Sequence, residues 1–184
     1  MFNVLPSSIP GCHEILPRVV DDERGRFVKV FHGEAFRDLG LEANFAEEYY
    51  SRSRKGVVRG MHFQLPPADH VKLVYCVEGD VFDVVSDLRV GSPTFGESAT
   101  FVLSASKANL VYIPRGLAHG FCVMSEAATL VYKVTSVHSP RFDAGILWNS
   151  VGINWPVESP ILSERDRGFA PLSRFDSPFV YERG

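Results

Sequence analysis

The sequence between residues 56 and 64 reads Gly56-Val57-Val58-Arg59-Gly60-Met61-His62-Phe63-Gln64. Successive side chains of an extended strand point to opposite faces, so residues two apart share one face. A strand here therefore aims His62 and Gln64 into one cavity, and it assigns Arg59 to the opposite face. Gly60 would allow a ligand or a second backbone to come close. Taken alone, His62 permits two interpretations: a core histidine held by a hydrogen bond, or a proton acceptor in a cavity.

Short strand patterns, separated by turn signals, recur through the rest of the chain. They cover residues 72–77, 81–88, 99–103, 110–113, 120–124 and 129–135, and earlier strands are expected within residues 1–20, 26–31 and 45–50. Residues 51–56 read as a polar turn, and short helices are expected over 34–39 and 163–167. A spacing of about ten residues between turns predicts an all-β sandwich or barrel. We expect one domain over residues 1–184, ending in an irregular arm.

Composition excludes several classes of protein. The chain has 184 residues and a net charge of −3, and its basic residues are scattered, which indicates no nucleic-acid partner. It lacks an apolar run long enough to span a membrane, and residues 1–10 do not resemble a secretory signal. The cysteines at positions 12, 76 and 122 fit neither a disulfide framework nor a zinc site. We therefore expect buried thiols in a cytoplasmic protein.

A second motif, Pro114-Arg115-Gly116-Leu117-Ala118-His119, has the form Pro-x-Gly-x-x-His and resembles the second signature of the cupin superfamily. Cupins that bind metal supply His-x-His and a glutamate from their first motif. Here the corresponding residues are His62 and Gln64, and no glutamate follows at a suitable distance. Stable binding of a divalent ion usually needs three or four protein ligands. The sequence therefore predicts no metal site and no cofactor.

A closer resemblance extends in order over about residues 20–172. With the opening stretch, it is carried by Asp22–Gly25, Lys72–Val74, Gly79–Val84, Asp87–Arg89, Ser92–Gly96, Ile113–Phe121, Tyr132-Lys133, Gly152–Pro156 and Leu162–Asp166. These segments resemble the family of dTDP-4-dehydrorhamnose 3,5-epimerases. The resemblance implies an all-β, cupin-like jelly roll without metal, and a homodimer whose subunits exchange chain segments. It also implies a nucleoside-diphosphate 4-keto-6-deoxyhexose as substrate, inverted at C3, C5 or both.

The same resemblance implies roles for four residues. His62 corresponds to the base that removes a proton next to the ketone, and Asp166 to the carboxylate that orients its imidazole. Tyr132 corresponds to the general acid on the opposite face of the sugar. Lys72 corresponds to the group that stabilises the enolate oxygen. Such a reaction needs a base, an acid and an oxyanion stabiliser, and these residue types can supply all three.

Further residues match positions that contact substrate. They are Arg24, Phe27, Lys29, Glu47, Tyr49, Arg59, Gln64, Asp83, His119, Asp143 and Arg165. The resemblance assigns Arg59 to the diphosphate, Phe27 to a wall of the nucleoside site, and Asp83 to orienting either His119 or the sugar. The planar guanidinium of an arginine suits phosphate oxygens.

Some positions depart from the family pattern. Glu47, Glu48 and Tyr49 stand where the rhamnose enzymes usually have Gln-Asp-Asn, Lys29 stands for a glutamate, and Arg165 stands for a lysine. The resemblance places Lys29 beside the base and Glu47 and Tyr49 at the rim that faces the nucleotide. The residues implied to do the chemistry are intact, so the changes leave the reaction type in place and open the choice of substrate.

Three alternatives therefore stay open. The first is a single-centre 3- or 5-epimerase acting on a CDP-, GDP- or UDP-linked sugar or on another deoxysugar. The second is a metal-dependent cupin. The third is a cupin that binds sugar nucleotides without catalysis, and the presence of both His62 and Tyr132 argues against it.

Overall fold

Alternating apolar and polar residues build two antiparallel sheets in the structure, a computed structural model that describes residues 1–182. The six-stranded sheet has the order β1-β2-β10-β7-β12-β5, the five-stranded sheet has the order β13-β6-β11-β8-β9, and β3 pairs with β4 in a separate hairpin. The strands are β1 (Phe2–Pro6), β2 (His13–Pro17), β3 (Val19–Asp22), β4 (Gly25–Val28), β5 (Glu47–Arg54), β6 (Val58–Gln64), β7 (Lys72–Glu78), β8 (Asp80–Asp87), β9 (Ser98–Ser104), β10 (Leu110–Ile113), β11 (Leu117–Val123), β12 (Ala127–Val134) and β13 (Asp143–Gly145).

The helices of residues 1–182 are short. They are α1 (Gly33–Asp38), α2 (Glu164–Arg167) and two 3₁₀ helices, Trp148–Ser150 and Leu172–Arg174. The Ser163 side chain caps α2 by accepting a hydrogen bond from the Asp166 amide at 3.0 Å, which satisfies a backbone donor that the helix leaves unpaired. None of these helices within residues 1–182 is long and apolar enough to cross a membrane.

The two sheets pack face to face around a shared core. Along β12 the even positions, Ala128, Leu130, Tyr132 and Val134, are buried, while the odd positions are only partly covered. Leu130 and Tyr132 belong to a cluster that also contains Phe121 of the opposite sheet. The alternation that builds the core therefore also directs the Tyr132 side chain between the sheets.

The C-terminal arm packs against the outer face of the five-stranded sheet. The ring of Phe63 on β6 contacts the rings of Phe175 and Phe179 edge-on, with centroids 5.1 and 5.7 Å away. Trp155 packs in the same way on Phe82 of β8. These contacts anchor the arm on both sides of α2, and α2 itself lies against β6. A segment distant in sequence is thereby held beside His62.

The predicted all-β class is confirmed, and several local predictions are wrong. Residues 51–56 were expected to form a polar turn, but β5 continues to Arg54, which pairs with Ala127 of β12. The pairing with β12 satisfies the backbone along this edge strand, so its polar side chains do not interrupt it. The strand expected over 26–31 is shorter than predicted and ends at Val28.

A bulge in β6 corrects the face predicted for Arg59. Opposite β11, His62 pairs with His119 and Arg59 pairs with Phe121, so three residues of β6 span the distance of two. An extra residue of this kind shifts the alternation by one position. As a result, Arg59 and His62 both face the space between the sheets.

Gly60 makes this bulge possible. Its φ is +131°, and a Cβ at this position would lie 2.6 Å from the Gly120 Cα and 2.9 Å from the His119 carbonyl oxygen. Only glycine accommodates both the backbone conformation and this close approach of β11.

Candidate active site

A cavity of about 380 Å³ opens between the two sheets. The five-stranded sheet contributes His62 and His119, and the six-stranded sheet contributes Lys72, Tyr49 and Tyr132. The other lining residues are Glu47, Ser51, Arg59, Phe63, Gln64, His70, Phe121, Val134, His138, Asp143 and Arg165. Since opposite walls come from different sheets, a ligand in this cavity is contacted from two sides.

His62 is held by a carboxylate from the C-terminal arm. Its Nε2 lies 2.7 Å from the Asp166 Oδ1, and the second oxygen of Asp166 accepts a hydrogen bond from the Gly60 amide at 3.3 Å. Asp166 is 3% exposed, whereas the His62 side chain is 30% exposed. Burial acts to raise the pKa of the Asp166 carboxyl, but the hydrogen bond and charge of His62, with the Gly60 amide, lower the pKa overall. Asp166 is therefore ionised and accepts the Nε2 proton, which leaves the Nδ1 of His62 to accept another.

His119 forms a second imidazole–carboxylate pair in the same sheet. It lies directly opposite His62 in the β6–β11 register. Its Nε2 is 2.8 Å from the Asp83 Oδ2, and both residues are buried. The other Asp83 oxygen is buried without a hydrogen-bond partner among residues 1–182. Asp83 therefore orients His119, which is one of the two roles that the sequence left open.

Lys72 is a buried amine that faces this histidine pair. It is 7% exposed, and its Nζ donates a hydrogen bond to the His62 carbonyl oxygen at 3.2 Å. Burial lowers its pKa from 10.5 to about 8, although the carboxylates of Asp143 and Asp83 oppose the shift. The amine is thus charged at neutral pH and donates one hydrogen bond, to the His62 carbonyl oxygen. Its other N–H groups can therefore interact with an anionic oxygen in the cavity.

Tyr132 lies on the opposite wall from His62. Burial raises the pKa of its phenol well above the usual value, so the hydroxyl keeps its proton. The hydroxyl lies 3.2 Å from the Ser51 Oγ of the neighbouring strand. Its ring meets the His119 ring edge-on, with centroids 6.1 Å apart. The geometry thus places a protonated, oriented phenol on the wall of the cavity opposite the His62 imidazole.

Charged side chains surround the mouth of the cavity. The Arg59 Nε donates to the Ser53 Oγ at 2.9 Å, and Arg59 forms no ion pair with any residue of the described chain. Arg165 pairs with Asp143 at 2.8 Å. Glu47 accepts a hydrogen bond from the His138 amide at 2.6 Å. Arg59 is thus the cation here that is best placed to meet an anionic ligand.

The structure brings most of the predicted site residues together. Glu47, Tyr49, Arg59, His62, Gln64, Lys72, His119, Tyr132, Asp143 and Arg165 line the cavity, and Asp83 and Asp166 stand directly behind its histidines. The amide of Gln64 is already engaged, since its Nε2 donates to the Ala68 carbonyl at 2.8 Å and its Oε1 accepts from the Ser139 amide at 2.6 Å. Its position thus favours bracing a loop over holding a ligand.

Three predicted residues lie outside the cavity of their own chain. Arg24 and Phe27 are exposed on the β3–β4 hairpin, and Lys29 follows it. Phe27 is 64% exposed, and Arg24 pairs with Asp22 beside it. The hairpin belongs to neither large sheet, and most of its residues are exposed.

Sequence reasoning missed Ser51, His70 and His138. Ser51 lay in the segment misread as a turn, and extending β5 would have placed it on the Tyr49 face. His70 has its pKa lowered to about 3 by burial, with Lys72, Arg115 and His138 acting in the same direction, and it lies 3.1 Å from the Gln64 amide. His138 precedes an irregular segment, and the sequence carried no signal for it.

The donor groups here do not form a metal centre. Residues 1–182 contain no cluster of three or more His, Cys, Asp or Glu side chains arranged to hold a metal ion. His62 and His119 each have their Nε2 within hydrogen-bond distance of a carboxylate instead.

Comparison with known proteins agrees with this geometry. Residues 6–174 match the family described as dTDP-4-dehydrorhamnose 3,5-epimerase. An enzyme of that name from Shigella flexneri is 44% identical over 168 residues, or 90% of this chain and 93% of that one. A dTDP-4-dehydrorhamnose 3-epimerase from Streptomyces niveus is 41% identical, over 88% of this chain and 80% of that one.

The solved structures show the same relationship. A dTDP-6-deoxy-D-glucose-3,5-epimerase from Legionella pneumophila, crystallised with dTDP-4-keto-L-rhamnose, superposes with a TM-score of 0.94 at 34% identity. The alignment covers 99% of this chain and 100% of that one. Fold and site together define a cupin-like carbohydrate epimerase. The chain belongs to the dTDP-4-dehydrorhamnose 3,5-epimerase family, so the resemblance and the predicted isomerase class are confirmed.

Burial of Lys72 predicts a specific dependence of stability on pH. Its pKa is about 8 in the fold and 10.5 when unperturbed, so between these values the unfolded chain binds more protons than the native one. The free energy of unfolding should therefore rise with pH across this window, by up to about 3 kcal/mol relative to Lys72→Met. Urea unfolding of both proteins from pH 7 to 10.5 measures the difference. Parallel curves would show that Lys72 is not desolvated.

Proposed function

We propose that the protein removes and returns protons at C3, C5 or both of a dTDP-linked 4-keto-6-deoxyhexose, with His62 as base and Tyr132 as acid. The observation that carries the assignment is the placement of these two groups on different sheets, facing one cavity. Inversion of a carbon needs a proton to leave from one face and to arrive at the other.

The first step is proton removal next to the ketone. The Nδ1 of His62 takes the proton, and the C–H bonding electrons form the enolate double bond while the carbonyl oxygen becomes anionic. Asp166 stabilises the resulting imidazolium through the 2.7 Å contact. The Lys72 ammonium stabilises the enolate oxygen, an effect of about 3 kcal/mol for a well-placed donor in a site that excludes water.

The second step is protonation from the opposite face. The Tyr132 hydroxyl gives its proton to the ring carbon, and the carbonyl re-forms. The phenolate then recovers a proton from solvent, and the His62 imidazolium releases its proton to solvent. A phenol whose pKa is raised by burial keeps its proton until the enolate forms. Tyr132 thus acts as an acid and not as a competing base.

The nucleotide is held by cations at the mouth of the cavity. Arg59 is placed to bind the diphosphate in the bidentate manner that guanidinium groups favour. The names and ligands of the relatives support a thymidine nucleotide. Glu47 and Tyr49 differ from the residues usual at the mouth of the cavity in this family. The identity of the sugar and the number of inverted carbons are therefore measured by the deuterium experiment described below. The 3-epimerase relative makes inversion at C3 alone the second candidate.

We also propose a homodimer in the cytoplasm. The β3–β4 hairpin carries Arg24 and the exposed Phe27, and neither side chain lines the cavity of its own chain. This placement suits delivery of both side chains to the cavity of a second subunit. A pocket shared in this way would explain why residues that resemble substrate contacts lie far from the site of their own chain. The three free, buried cysteines suit a reducing compartment.

Deuterium incorporation tests the proposed reaction. In heavy water the protein should place deuterium at C3, C5 or both of a dTDP-4-keto-6-deoxyhexose, read separately by NMR. His62→Ala should lower the rate of incorporation at least about 100-fold because the base is lost, while dTDP still binds in calorimetry. Absence of incorporation at both carbons by the unaltered protein, with dTDP bound, would favour a binding protein over an epimerase.

Mixed dimers test the shared site. Arg24→Ala should raise the KM for substrate about tenfold through loss of a charge-assisted hydrogen bond. Co-expression of Arg24→Ala with His62→Ala should create dimers in which one cavity has both intact residues, and restore about a quarter of the low-substrate activity. Co-expression of Arg24→Ala with a chain that carries both Arg24→Ala and His62→Ala is the control, because no cavity of the resulting dimers has both residues intact. Activity no greater than the sum of the separate variants would contradict the exchange.

A further inference from the structure

Tyr49 stacks on Tyr132 at the mouth of the cavity. The two rings are 4.8 Å apart at their centroids and lie 16° from parallel. The two residues are direct partners in the β5–β12 register, so the stack follows from strand pairing. Tyr49 remains 41% exposed. It thus borders the cavity while covering one face of the Tyr132 ring.

The Tyr132 side chain is restrained from three directions. Tyr49 covers one face of its ring, the His119 ring lies edge-on at 6.1 Å, and the Ser51 Oγ meets its hydroxyl at 3.2 Å. His119 is itself fixed by Asp83. Of these three neighbours, Tyr49 is the exposed aromatic residue. Removal of its ring would leave space into which the Tyr132 ring could rotate.

We propose that Tyr49 is a positioning residue, which holds the Tyr132 ring so that its hydroxyl is aimed at the substrate carbon. The inference rests on the proposed function, since it assigns Tyr49 a role in the second proton transfer. A stacked aromatic pair contributes a modest free energy. The hydroxyl lies at the far end of the ring, however, and a small rotation of the side chain displaces the proton considerably.

If Tyr49 orients Tyr132, its loss should have a consequence that a general loosening of the core would not produce. Once the enolate has formed, two outcomes compete. The His62 imidazolium can exchange its proton with solvent and return a deuteron to the same face, which gives exchange with retention, or Tyr132 can protonate the opposite face, which gives inversion. A misaimed Tyr132 slows inversion only. The ratio of the rate of exchange with retention to the rate of inversion therefore reports how well the Tyr132 hydroxyl is oriented toward the substrate carbon.

Three variants of β5 separate the possibilities. In Tyr49→Ala, inversion should fall at least tenfold, while deuterium exchange with retention stays within twofold of the unaltered protein. Tyr49→Phe keeps the ring and should restore most of the inversion lost in the alanine variant. Tyr50→Ala is the matched control, because Tyr50 is the adjacent tyrosine on the same strand, is 72% exposed and does not line the cavity. It should invert at the rate of the unaltered protein.

Heavy-water NMR of substrate, resolved by carbon and by configuration, measures both rates in one sample. Equal losses of exchange and inversion in Tyr49→Ala, or a raised KM with an unchanged ratio, would overturn the positioning role. An unchanged ratio in Tyr49→Ala with normal inversion would overturn it as well. If the unaltered protein itself exchanges no deuterium, the proposed function fails, and this outcome is distinct from failure of the role of Tyr49.

Discussion

The hydrogen bond between His62 and Asp166 joins parts of the chain that are 104 residues apart. The carboxylate reaches the imidazole because Phe175 and Phe179 anchor the C-terminal arm on Phe63, next to His62 on β6. Asp166 also accepts the amide of Gly60, so one carboxylate fixes both the imidazole and the bulge. The tautomer of His62, the orientation of its ring and the position of the arm are therefore set together.

Burial shifts the pKa values of two residues on the six-stranded sheet, Lys72 and Tyr132, in opposite directions. It lowers the pKa of the Lys72 amine and raises the pKa of the Tyr132 phenol, because in both cases it disfavours the charged form. The amine stays charged at neutral pH, while the phenol stays protonated. The Lys72 amine thus keeps its charge in spite of burial, whereas burial helps the Tyr132 phenol to keep its proton. In the proposed reaction the first group stabilises the enolate oxygen and the second donates a proton across the cavity from His62.

Local patterns in the sequence predicted the sheets, the short helices and the inward direction of His62. They failed where backbone pairing or distance along the chain decided the outcome. Alternation alone placed Arg59 on the wrong face, since the bulge depends on the close approach of Gly60 to Gly120 on β11, and a glycine in a strand does not by itself reveal which strand approaches it. The partnership of His62 with Asp166 came from family resemblance, because no local pattern joins residues so far apart.

The central claim is that His62 and Tyr132 act on opposite faces of one sugar. The most direct measurement is the configuration of substrate exchanged by Tyr132→Phe in heavy water, followed by NMR at C3 and C5. The account predicts that this variant still incorporates deuterium through His62, that the exchanged carbon retains its configuration, and that inversion is lost. Inversion at the rate of the unaltered protein, or loss of exchange together with inversion while dTDP still binds, would contradict it.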